Sequence, residues 1–227
     1  MSSPSRSAYE RALGARVAEL HLVLRRYFAV IPPGAVGVGE GVFESFGTQR
    51  RWLWPVLAIA KRCGVIVPGV HREVPFRVEN RTEDGEQTAT RTMKFDDGDW
   101  SMVDAVSFVP RGSRSEVGGE VPCDSQGGVV DVLGKPSIVE AEFAVDVVNG
   151  GLRLRSRRIA LRAGGLRLPM PLVLRPVIEL SERFDDTLDR QRVELNVDVP
   201  LIGRVYEYSG TFTYRIVSEY LRSTRGN

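Results

Sequence analysis

Lysine, cysteine and histidine are nearly missing from this chain, and each scarcity bears on a class of function. Lys61, Lys94 and Lys135 are the only lysines among 31 basic residues, and the formal net charge is +2. So strong a bias towards arginine reads as GC-rich coding rather than selection for phosphate binding. The two cysteines, Cys63 and Cys123, and the two histidines, His21 and His71, are widely separated and match no zinc spacing, so no structural metal is expected. Long apolar runs are missing too. The longest candidate, Trp52 to Ala60, is broken by Pro55 and falls short of the roughly 20 residues of a membrane helix. The opening MSSPSRSAYERAL has no apolar core of the length a secretory signal needs. Together these absences predict a cytoplasmic protein with reduced cysteines and no membrane span.

What is present is alternation. From Val193 to Val217, Tyr206, Tyr208, Phe212 and Tyr214 share one face, while Glu207, Ser209, Thr211, Thr213 and Arg215 share the other. A period of two is the mark of half-buried strands. With 227 residues, 42% hydrophobic and 26% charged, the chain can bury a sizeable core, and one all-β-sized unit spanning 1–227 is the default.

The N-terminal part, about 8–63, reads as helical. Ser7 and Glu10 form a capping box, and Leu13, Val17, Leu20, Leu24 and Phe28 follow at helical spacing, which predicts one amphipathic helix from Ala8 to Phe28 ended by Pro32-Pro33. Gly37, Gly39 and Gly41 do not make a nucleotide loop, because Val42 stands where a further glycine belongs and no strand precedes them. They read as a loop or short strand. Trp54 to Cys63 predicts a second short helix, with Pro55 in its first turn and Gly64 as its stop. From about 74 to 217 the chain is strands, with hairpin turn pairs at Asp84-Gly85, Asp97-Gly98 and Asn149-Gly150. Pro110 to Gly128 reads as a long mobile loop and Ser223 to Asn227 as a frayed tail.

Two-residue turns fix register, so they predict contacts. The Asn149-Gly150 turn sets Asp146 opposite Arg153 and Glu142 opposite Arg157. Seven arginines lie between Gly151 and Arg175 without an intervening acid. These cross-strand carboxylates, and the lack of interleaved aromatics, argue against a nucleic-acid stripe. The other two turns align Phe76 with Met93, Val78 with Arg91, Met93 with Met102 and Arg91 with Asp104. Arg91 and Asp104 thus fall on the apolar face that carries Val74, Phe76, Met93 and Trp100. An ionised arginine cannot sit unpaired there, so the two should bond each other as a buried register-fixing pair, or serve an anion-anchoring site. His21, at the edge of the first helix, and Glu40 and Glu44, in the glycine segment, read as a packing residue and exposed acids. No nucleophile triad can be assembled.

Several phrases resemble the bacterial domain-of-unknown-function family 4166: LHLVLRRYFAVIPPGAVGVGEGVF, VPFRVEN, RTMKF, DVLG at Asp131 to Gly134, the Gly-Leu-Arg-Leu strand from Gly151, and PLIGRVYEYSGTFTY from Pro200. They run from about Leu20 to Tyr214. The resemblance implies no defined activity or site residues. It implies relatives that occur alone or C-terminal to saccharopine-dehydrogenase-like reductase domains, so any redox role here would need a separate reductase protein.

The fold predicted is α+β, mainly β: a strongly curved antiparallel sheet or barrel with N-terminal helices covering one side. The leading function is binding of a small hydrophobic or acidic ligand, without a cofactor. Its site residues are Phe76, Trp100, Tyr206, Tyr208 and Phe212, with Arg91 and Asp104 as the polar pair. The alternatives are a non-catalytic domain docking on a reductase, and a cofactor-independent enzyme using Arg91, Asp104, Glu40 or His21.

Overall fold

The alternating segments pair into one continuous antiparallel circuit. The computed structural model describes residues 6–83, 85–111, 127–163, 166–170 and 175–219. Its strands are β1 (Ala35–Gly47), β2 (Val70–His71), β3 (Val74–Glu83), β4 (Glu86–Phe95), β5 (Gly98–Pro110), β6 (Gly127–Leu133), β7 (Val139–Val148), β8 (Gly151–Ala163), β9 (Leu166–Pro169), β10 (Val177–Asp185), β11 (Arg190–Val199) and β12 (Gly203–Ser218). Strands β3 to β8 form a meander, β10 pairs β8, β10 to β12 continue it, and β12 pairs β1, which returns to β3. The result is a closed barrel of ten strands, with β2 and β9 as short additions at β1 and β8. Closure leaves no long pairing edge exposed. Eight strands enclose space that side chains just fill, or that holds one small ligand, so ten leave more room.

The helices divide between the two mouths of the barrel. Helix α1 (Ala8–Leu13) and helix α2 (Leu22–Phe28) close the mouth beside the 149–150 turn, packing α1 over β5, β6 and β7. The capping box forms as expected, and Ser7 Oγ also donates to Phe28 O at 2.6 Å, tying the two helices together. The single helix predicted from Ala8 to Phe28 is corrected. Gly14 takes φ 57, a 3-10 turn spans Gly14–Glu19, and His21 caps α2, its Nδ1 accepting from Val23 N. A straight helix over that stretch would run to roughly 30 Å. The bend lets Leu13, Leu20, Leu24 and Phe28 all reach the core. Helix α3 (Trp54–Arg62) and the segment after it cover the opposite mouth. Trp100 Nε1 donates to Lys61 O at 3.2 Å, Lys135 N to Cys63 O at 3.0 Å, and Tyr206 OH to Val67 O at 3.2 Å. No helix among the described residues is long and apolar enough to cross a membrane.

The glycine segment is a second correction. It is neither loop nor short strand but the middle of β1, a 13-residue strand. A Cβ on Gly41 would lie 2.1 Å from Thr211 O, and one on Gly37 would meet the Tyr214 ring. The glycines give the aromatics of β12 room to lie across β1, a tertiary need with no local signature.

Two predicted registers also shift. The turn between β4 and β5 is made by Asp96-Asp97, with Phe95 opposite Gly98, so Arg91 lies opposite Met102 and Met93 opposite Trp100. Gly98, at φ 125, starts β5 rather than completing the turn. In β8 a bulge makes Arg157 an extra residue, and Glu142 faces Arg158. The Asn149-Gly150 turn forms as predicted, with both residues at positive φ, Val148 opposite Gly151 and Asp146 opposite Arg153. The pairings Phe76 with Met93 and Val78 with Arg91 also hold, and Glu83 faces Glu86, while Asp84 lies outside the described residues. So do Cys123, most of the predicted 110–128 loop, and the tail.

Candidate functional site: a polar cluster inside the barrel

Along each barrel strand alternate side chains enter the interior, and at the centre they do not meet. They enclose a cavity of about 230 Å³. Towards α3 its wall is apolar, with Met93, Trp100, Leu133, Ile178 and Val197, closed over by Val65 and Ile66. Towards α1 and α2 the wall turns polar, with Arg91, Asp104, Asp131, Glu182, Gln87 and Asn80, and with the rings of Tyr9 and Tyr27. The chamber is therefore amphipathic along the barrel axis.

Of the sequence-predicted site residues, Arg91, Asp104, Trp100, Tyr206 and Tyr208 line this cavity. Phe76 and Phe212 do not. They sit in the surrounding core, where Phe76 stacks on Phe43 at 4.1 Å and lies 5.8 Å from the ring of Phe212. The register change does not separate the charged pair. It moves β5 by two residues, which preserves the face, so Asp104 becomes a diagonal neighbour of Arg91 and their side chains form an ion pair. Asp104 is 3% exposed. Arg91 keeps 23% of its side-chain surface, and that surface belongs to the cavity wall.

The pair has company that sequence reasoning passed over. Asp131 lies between Val129 and Leu133 on the inward face of β6, and Glu182 follows Ile178 and Leu180 on the inward face of β10. An acid on the apolar parity of a strand was the available signal for both. Glu182 is 6% exposed. Glu182 Oε2 and Asp131 Oδ1 are buried without a hydrogen-bond partner.

One guanidinium thus faces three carboxyl groups in a low-dielectric interior. Burial pushes the Asp131 carboxyl well above the usual carboxylate range, neighbouring Asp104 adds to the rise, and Arg91 opposes it. Burial likewise raises Glu182 to about 7 against the pull of Arg91. Asp104 is raised by burial and held back by its bond to Arg91. For Arg91, burial favours the neutral form, but the surrounding negative charge, chiefly Asp104, holds its pKa above the ordinary value.

Other charged candidates lie elsewhere. Glu40 sits on the outer face of β1, paired with Arg77, and Glu44 lies 3.3 Å from Arg192. His21 stacks on Phe184 at 4.6 Å, outside the cavity lining. Neither Glu40 nor His21 converges on Arg91. Of the arginines of β8 and β9, Arg153 and Arg155 meet Glu179 and Arg167 meets Glu140, while Arg157 Nη2 is buried without a hydrogen-bond partner among the described residues. Among the described residues no cluster of three histidine, cysteine or carboxylate side chains could hold a metal ion.

The family described as Domain of unknown function (DUF4166) matches residues 20–212, most of the barrel together with α2 and α3. The chain belongs to this family. A relative in Bacillus subtilis (strain 168), "Uncharacterized protein YndH", is 24% identical over 147 residues. That alignment covers 62% of this chain and 65% of the relative, so the chain spans just under two thirds of that protein's length. No solved structure matches the chain. Family membership adds no activity to the geometry.

Proposed function

We propose that this member of the family binds a small, largely apolar molecule inside the barrel, with its apolar body towards α3 and its polar end towards Arg91 and Asp104. The observation that carries the reading is the cavity itself. An interior at ordinary packing density leaves few voids larger than a water molecule, whereas about 230 Å³ stands open here. An apolar cavity of roughly 150 Å³ takes benzene, so this volume suits a ring with a short side chain. Trp100, Tyr206 and Tyr208 supply apolar wall with a polar edge, and Phe76 and Phe212 hold that wall from behind. A carboxylate ligand is the weaker form of the idea, because Arg91 is already neutralised by Asp104 and two further carboxyls stand around it.

A native mass spectrum of protein purified without detergent tests the reading. The expected result is a fraction of the protein carrying a small, releasable mass. Uniformly bare protein that also binds none of a panel of small aromatic compounds argues against it.

Docking on a separate reductase is the second reading, and one observation favours it. Around α3, Trp52 is 57% and Ile59 66% exposed, apolar surface of the kind that interfaces cover. Substituting Trp52 and Ile59 with serine should then weaken binding to a reductase while leaving the barrel interior unchanged.

A further inference from the structure

Resting on the reading of the barrel as a ligand chamber, the arrangement of its polar wall bears on which head group it receives. The cluster holds one permanent cation and three acids, so full ionisation leaves it with a net charge of −2 in an enclosed, mostly apolar space. Charge of that kind is costly to bury unless neutralised. Arg91 answers for Asp104, and nothing among the described residues bonds Glu182 Oε2 or Asp131 Oδ1, both of them buried. Both are hydrogen-bond acceptors when ionised, as are the unpartnered amide oxygens of Gln87 and Asn80 in the same wall. What the chamber lacks is therefore positive charge, since the hydroxyls of Tyr9, Tyr27 and Tyr208 already supply donors in its lining.

We propose that the ligand carries a protonated amine, seated at the free oxygen of Glu182 in the field of Asp131, with its apolar body extending towards Trp100 and Ile178. Glu182 is the anchor because it is almost fully buried, lines the cavity and has an oxygen with no partner. An ammonium group supplies three donors and one charge, which lowers the local imbalance from −2 to −1 and leaves a single proton to be shared among the acids. The rival head group, a carboxylate on Arg91, raises the imbalance instead. An uncharged hydroxyl leaves it unaltered.

Three probes of matched size separate these cases: 2-phenylethylamine, 2-phenylethanol and phenylacetate, each titrated calorimetrically into the full-length protein at pH 7.5. The expected order is amine tightest, by at least tenfold over the alcohol, with phenylacetate weakest. In Glu182→Gln the advantage of the amine should fall below about threefold while alcohol binding persists, and Asp131→Asn should lower it to a smaller degree. Persistent alcohol binding also shows that the Gln variant is folded around an intact chamber. Equal binding of all three probes, or phenylacetate binding tightest, overturns the amine assignment and leaves the apolar-ligand reading standing. Failure of every probe to bind overturns both.

Discussion

Arg91 and Asp104 form an ion pair across a diagonal: Arg91 lies opposite Met102, Asp104 lies opposite Ala89, and the two side chains meet over the inward face of β4 and β5. Removing one partner leaves the other buried without compensation. Arg91→Met should therefore destabilise the protein by about 3–5 kcal/mol, and replacing both residues with apolar ones of similar volume should recover much of that. Urea melts of the two single variants and the double variant check this. Equal, additive losses would show that the pair does not act as a unit.

Glu182 makes stability depend on pH. Burial raises its carboxyl from an ordinary 4.5 to about 7, so the folded state holds the proton more tightly than the unfolded state. Its contribution is full below pH 4.5 and is lost as pH rises through about 7, a change on the order of 3 kcal/mol. Asp131 is shifted in the same direction. Without ligand, the melting temperature should fall between pH 5 and pH 8, and Glu182→Gln should flatten that slope. An unchanged slope in the variant means that other groups carry the dependence.

The cover at the α3 mouth hangs on few bonds. Trp100→Phe deletes the donor to Lys61 O together with part of the ring, which should cost at least about 0.5–1.5 kcal/mol. Hydrogen exchange in residues 54–67 should quicken while β3 to β8 keep their protection. Uniform acceleration across the barrel would instead mean that α3 opens only with global unfolding.

Glycine substitutions in β1 should rank by what a new Cβ meets. At Gly41 the obstacle is backbone, Thr211 O, whereas at Gly37 it is the outer end of the Tyr214 ring, which can turn aside. Gly41→Ala should cost more than Gly37→Ala, the latter by about 1–3 kcal/mol. Thermal melts decide the order.

These residues also show how far sequence reaches. The face shared by Arg91 and Asp104 is legible in sequence because side-chain parity survives a register shift of two residues, the difference between a turn at Asp97-Gly98 and the observed one at Asp96-Asp97. The aromatics of β12 were legible by the same alternation. The inward positions of Asp131 and Glu182 carried that signal too, but an acid between apolar neighbours points to a site only when other acids enter the same space, which barrel closure decides. The break at Gly14 had a local signal, a glycine that takes φ 57 and caps α1, but the apolar spacing runs on past it and masks the stop. The strand character of Gly37 to Gly41 depends on Phe212 and Tyr214, some 170 residues later in the chain. The cavity depends on which side chains fail to meet across the barrel, and no local pattern records that.

Filling the chamber is the most direct test of whether it holds a ligand. Leu180 lines the cavity from β10 and is only partly buried, so Leu180→Trp should occupy the space with little cost to the surrounding strands. Titration calorimetry of 2-phenylethanol against the unsubstituted protein and this variant, both verified as folded by melting, is the measurement. Binding to the first and at least tenfold weaker binding to the second is the expected result, and equal affinity for both, or none for the unsubstituted protein, would contradict a ligand inside the barrel.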